Sequence, residues 1–320
     1  MSTTLEPPTT RRSVNPAERL RTTMAAVRLS LTALGVHKSL SRQQKTEAAE
    51  TFGAADQYIS AGKKLLDTKH PAYRAVTGVR TRIICLWKAM SLPYPEPGLR
   101  LIRQDQIDLF NEQMTELRAE LEAAVEQLDQ HYAELKSAAQ NRLGRLFNSD
   151  DYPHSLRGLF DVAWDFPSVE PPAYLQQVNP QLYEQECRRI ASRFDEALEL
   201  AEQAFMEELA ELVTHLNERL SGAADGKPKI FRDSAITNLM EFFQRFRNLN
   251  VRSNQELDDM VAQAQQVVQG IQPQNLRDNQ ILRETVASEL HQLQTSLDDL
   301  LVDRPRRNIL RRSPAPSEAN

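Results

Sequence analysis

The nearest approach to a phosphate-binding loop in this 320-residue chain is Gly222-Ala-Ala-Asp-Gly226-Lys227-Pro228. Such a loop wraps phosphate in backbone N–H groups and needs four residues between its glycines, then Lys and a hydroxyl residue for magnesium. Here the spacing is one residue short, Pro228 replaces the hydroxyl, and no strand precedes it, so the stretch reads as a turn. Ser60-Ala-Gly-Lys63 has the spacing of a Ser nucleophile activated by Lys, but the companion motifs of that chemistry are missing. A di-iron site between helices needs paired Glu-x-x-His steps, and none of the six histidines follows a glutamate at that distance. Asp67-x-x-His70 and Asp151-x-x-His154 both stand at helix starts, where an aspartate serves as a cap. With no nucleophile elbow, zinc spacing or dinucleotide fingerprint either, the sequence predicts a non-catalytic protein without metal or cofactor.

Charge is the stronger signal. Residues 63–103 carry a net +7, whereas 104–221 carry a net −15, within an overall −5. Lys63, Lys64, Lys69, Arg74, Arg80, Arg82 and Lys88 are interleaved with Tyr73, Trp87 and Tyr94. Cations beside a stacking ring suit nucleic acid, with strong salt dependence, and Arg304, Arg306, Arg307, Arg311 and Arg312 would add phosphate contacts. The competing reading pairs this basic face with the acidic surplus of the same or another copy.

The elements that must position these groups read as helices. Aromatics are 6% and glycines number 10, too few for a sandwich of strands. Asn15-Pro16 opens a helix that carries Leu20, Met24, Val27, Leu31 and Leu34 to Gly35. Ser41-x-x-Gln44 is a capping box for a second helix running through Phe52, Ile59 and Leu66. His70-Pro71 starts a third, ending before Pro93. Three alternate prolines in 91–98 fix an extended connector. Ile107, Phe110, Met114, Leu117, Leu121, Leu128, Tyr132 and Leu135 then keep a three/four rhythm, predicting one helix over 103–147. A second long helix starts at Asn179-Pro180 and carries Phe194, Phe205, Leu209 and Leu216 to Leu220. Two apolar stripes of similar length suggest an antiparallel hairpin. Further helices are expected over 236–246, after a capping box Ser253-x-x-Glu256, and over 282–300.

Between the long helices, Phe160, Val162, Trp164 and Phe166 alternate with the period of a strand or extended arm. With Tyr174 they form a candidate docking segment, folding back on its own domain or onto a partner. Cys85 and Cys187, both within predicted helices, read as free buried thiols of a reducing compartment. The first residues lack an apolar leader core, and the longest apolar run, 83–87, is too short to span a bilayer. A cytoplasmic location is therefore expected.

The connector Leu92-Pro-Tyr-Pro-Glu-Pro-Gly98 before the long helix, with Trp164-Asp-Phe-Pro167 and Pro171-Pro-Ala-Tyr-Leu175, resembles an uncharacterised helical family of bacteria, phages and mobile elements. Members are encoded near MoxR-type AAA ATPases and von Willebrand A-domain proteins. The resemblance spans most of residues 20–220, contributes no catalytic residue, and implies an adaptor or substrate-like subunit beside an ATPase.

The expected fold is all-α. Residues 1–14 form a disordered tail, 15–98 a basic helical region, 99–222 the hairpin with its arm at 148–179, 223–302 a C-terminal helical pack, and 303–320 a basic disordered tail. The expected function is a structural or interaction protein, self-assembling or an adaptor. The alternative is a nucleic-acid-binding accessory protein using 63–103 and the Arg-rich tail.

Overall fold

A computed structural model of the chain describes residues 15–220 and 233–303. They divide into two compact units, one of residues 21–193 and one in which residues 15–20 join 194 onward. The first is not all-α. It holds two antiparallel sheets, which corrects the helical expectation at several places.

Helix α1 (Pro16–Thr23) is opened by Asn15, whose Oδ1 accepts from Ala17 N at 3.1 Å. It ends twelve residues before Gly35 because the chain turns into strand β1 (Met24–Thr32). The apolar residues of β1 fit two periods at once. Val27 and Leu31 keep helical spacing, but Val27, Leu29 and Leu31 also alternate with Arg28, Ser30 and Thr32. Tertiary partners decide between the two.

Helix α2 (Arg42–Phe52) has the expected capping box and ends at Gly53, in the left-handed region at φ 63°. It lies between strands β2 (His37–Ser39) and β3 (Gly62–Lys64), which pair antiparallel as a short ribbon, so the helical reading through Leu66 is also corrected. Helix α3 (Pro71–Ala89) starts as expected, with His70 Nδ1 accepting from Ala72 N.

The proline connector is a hairpin instead of a free polyproline segment. Strand β4 (Ser91–Pro93) pairs with β5 (Leu99–Arg103) across a turn closed by Gly98 at φ 82°. The long helix begins after β5 and is broken at His131, giving α4 (Ile107–Gln130) and α5 (Tyr132–Leu143). The arm becomes strand β6 (Asp161–Asp165), followed by the short α6 (Tyr174–Val178).

The larger sheet has the order β4-β5-β1-β6, with every pair antiparallel. Arg28 faces Leu99 on one side and Asp165 on the other, and its guanidinium grips the Asp165 carboxylate at 2.5 and 3.0 Å. The ladder to β6 ends there. Pro167, two residues on, has no N–H to continue it, and Glu170 is held instead by Arg21 (Nε to Oε1 2.7 Å).

Helices α3 and α4 pack on each other over this sheet. The core joins Val27, Ile102 and Val162 from the strands to Val76 and Ile83 of α3 and to Phe110, Met114, Leu121 and Leu128 of α4. Burying a side chain of this size contributes about 1.5–3 kcal/mol, so a continuous stripe demands a continuous cover. For α4 that cover is α3 and the sheet, not the second long helix, which corrects the expected hairpin.

That second helix, α7 (Pro180–Leu220), occupies the expected stretch and belongs to the first unit as far as Arg193. From Phe194 onward its stripe is buried within the second unit, a helical pack with α8 (Ser234–Leu249), α9 (Gln255–Val268), α10 (Pro273–Asp278) and α11 (Gln280–Asp303). Phe205 of α7 meets Phe242 and Phe246 of α8 edge-on, with ring centroids 6.2 and 5.0 Å apart. Arg245 lies over the rings of Phe205 and Phe242 and pairs with Glu208. Asn217 of α7 donates to Gln294 of α11 at 3.1 Å. Asn254, one residue after the expected cap at Ser253, caps α9 by accepting from Leu257 N.

Candidate interaction surfaces

Most of the arm is part of its own unit. Phe160 and Val162 are buried in the core. Trp164 donates its indole N–H to Asn111 Oδ1 at 2.7 Å and meets Phe110 edge-on at 6.5 Å. Phe166 meets the same ring at 6.4 Å. These four side chains are brought together against α4 and the sheet, where a partner has little access to the first two. Tyr174 stands apart from them and is 64% exposed.

Tyr174 begins a cluster of exposed apolar residues that local sequence pattern does not single out. Val178, 77% exposed, and Leu182, 38% exposed, follow at intervals of four residues. Tyr174 and Val178 stand on α6 and Leu182 on α7, because the chain leaves the helix at Asn179, at φ −151° and ψ 88°, whose bonds close one helix and open the next. Asn179 N donates to Leu175 O at 2.8 Å, and Asn179 Oδ1 accepts from Leu182 N at 3.1 Å.

The basic segment is divided by the fold. Lys63 is an interior residue: its Nζ lies 2.6 Å from Asp151 Oδ2 and donates to Leu146 O at 2.6 Å. Lys38 reaches Asp151 Oδ1 at 2.5 Å. Hydrogen bonds from Lys38, then Lys63, hold the Asp151 carboxyl below the usual carboxylate range. Asp151 therefore ties the ribbon to the 144–152 turns instead of capping a helix. Arg82 pairs with Glu120, and Arg80 is half-buried with its Nε enclosed and without a hydrogen-bond partner.

Lys64, Arg74 and Lys88 are exposed and their side chains form no ion pair among the described residues. The rings expected to interleave with them are covered. Tyr73 and Tyr94 are buried, and Trp87 lies beneath the guanidinium of Arg100 at 5.6 Å. Arg304, Arg306, Arg307, Arg311 and Arg312 and the loop at 222–228 lie outside the described residues. Both cysteines are free, but Cys85 is exposed and Cys187 half-buried, contrary to the buried thiols expected.

Acid–base groups do not converge on any of these surfaces. Tyr132 is pushed up to about 12, first by burial, which removes it from proton transfer at neutral pH. Among the described residues no group of three or more His, Cys, Asp or Glu is placed to hold a metal ion, and no helix is long and apolar enough to cross a membrane. Comparison of the chain with protein-family models, with curated proteins and with solved structures finds no match.

Proposed function

We propose that this is a non-catalytic interaction protein that associates with a second copy of itself through the cluster Tyr174, Val178 and Leu182. The observation that carries this reading is their exposure within nine residues of one another; the unit's other exposed large apolar residues, Phe52, Tyr58, Leu109 and Phe166, lie elsewhere in the chain. Exposed large apolar side chains lose unfavourable hydration when a partner covers them, and Tyr174 and Val178, four residues apart on α6, with Leu182 at the start of α7, offer such a patch.

Charge supports a second copy as that partner. Lys64, Arg74 and Lys88 are exposed and form no ion pair among the described residues, and the acidic surplus of the chain lies over 104–221. Two copies therefore present complementary potentials to each other. Nucleic acid is the weaker reading, because Tyr73 and Tyr94 are buried and Lys63, Arg80 and Arg82 are engaged or partly enclosed.

Size-exclusion chromatography with light scattering, at low and high salt and with absorbance at 260 and 280 nm, tests the proposal. The expected species is a discrete oligomer of the 36.5 kDa chain, free of nucleic acid. A 260-rich complex that falls to a clean monomer in high salt would overturn self-association in favour of nucleic acid.

A further inference from the structure

The first unit contains a cleft of about 250 Å³ that lies apart from the Tyr174 cluster in sequence and chemistry. One wall is the segment from Lys64 to Lys69, which leads from β3 to α3. The other is one face of α5, carrying Leu135, Ala139, Arg142 and Leu143 at helical spacing. Lys64, Lys69 and Arg142 line the cleft, and Asp67 is its single acidic lining residue.

Asp67 is already satisfied. One carboxylate oxygen accepts from Lys69 N at 2.9 Å and the other from Arg142 Nη1 at 3.0 Å. The Lys69 backbone N–H, then Arg142, hold its carboxyl below the usual range. Arg142 and Asp67 thus cancel, whereas Lys64 and Lys69 have no ion-pair partner among the described residues. The two lysines share the cleft lining with Leu135, Ala139 and Leu143, a mix of cationic and apolar groups suited to an amphiphilic anion.

We propose that this cleft binds a small amphiphilic anion, with a carboxylate or phosphate head on Lys64 and Lys69 and an apolar body against Leu135, Ala139 and Leu143. The volume limits the ligand to fragment size, below the usual range of about 300–1,000 Å³ for larger-ligand pockets. The cleft is lined by residues of a single copy, so its occupancy does not require a second one.

Isothermal titration of the full chain with octanoate, inorganic phosphate and octylamine tests this assignment. Octanoate should bind saturably, at least about tenfold more tightly than phosphate, and octylamine should not bind. Lys64→Gln/Lys69→Gln should weaken octanoate by at least about tenfold while the melting temperature stays unchanged, because both side chains are exposed or at the rim. Each single variant should show part of that loss, so the result does not rest on the double variant alone. No saturable octanoate binding, equal affinity for octanoate and phosphate, binding of octylamine, or unchanged affinity in the variants would each overturn the proposal.

Discussion

Asp151 is the residue on which the β2–β3 ribbon depends. Its side chain is 3% exposed, with Lys63 at 5%, so removing the carboxylate leaves a buried ammonium without its counter-charge. Asp151→Asn should cost about 3 kcal/mol in urea unfolding at pH 7. The pH dependence follows from the depressed carboxyl pKa. The folded state binds its proton later than the unfolded chain, so the stabilisation is complete above about 3.9 and is lost as pH falls through the folded value. Wild type should therefore lose stability on acidification below about pH 4, and Asp151→Asn should show a shallower fall. Equal slopes would remove the ion pair from the account. The sequence displays Lys63 only as one of several adjacent cations. Its interior role depends on Lys38 and Asp151, which are distant in the chain, and no local pattern links them. Tyr174 was legible as a docking candidate within the arm, whereas Val178 and Leu182 stand on different helices on either side of the Asn-Pro step, and no single period links them.

At the scale of elements, legibility followed whether one period or two fitted the residues. The stripe of α7 has helical spacing alone and was readable over its whole length. Residues 24–32 satisfy both periods, and the choice was made by β5 and β6, which lie far along the chain. The proline connector was readable as non-helical, but its hairpin required the pairing of Leu92 with Leu101. The strand assignment predicts cross-strand nuclear Overhauser contacts between Met24 and Arg103 and between Thr32 and Asp161. A helix continuing to Gly35 would show neither. The tie between β6 and α4 gives a second test. In a double-mutant cycle of Trp164→Phe and Asn111→Ala, the indole hydrogen bond should appear as a coupling of about 1 kcal/mol. Zero coupling would detach the arm from the core as drawn.

Across the whole molecule, two separate cores replace the single hairpin core that the paired stripes suggested. The stripe of α4 is closed by α3 and the sheet, and that of α7 from Phe194 onward by the helical pack. Calorimetry should consequently resolve the units by mutation. Leu121→Ala should cost about 2–5 kcal/mol in the unit of residues 21–193, and Phe242→Ala about 3–5 kcal/mol in the helical unit. Each should lower a different part of the unfolding profile, and a single transition lowered equally by both would argue for one cooperative core. The charge asymmetry that was plain in the sequence survives folding only in part, since Lys63 and Arg82 are answered within the unit.

Self-association through the 174–182 cluster is the claim on which the functional reading stands. Sedimentation velocity of wild type beside Tyr174→Ser/Val178→Ser, over a wide concentration range, tests it most directly. Both positions are exposed, so the substitutions should leave the fold intact. The account predicts a concentration-dependent oligomer in wild type that the double variant reduces to monomer. A wild-type monomer at every concentration, or an oligomer unchanged by the two substitutions, would contradict it.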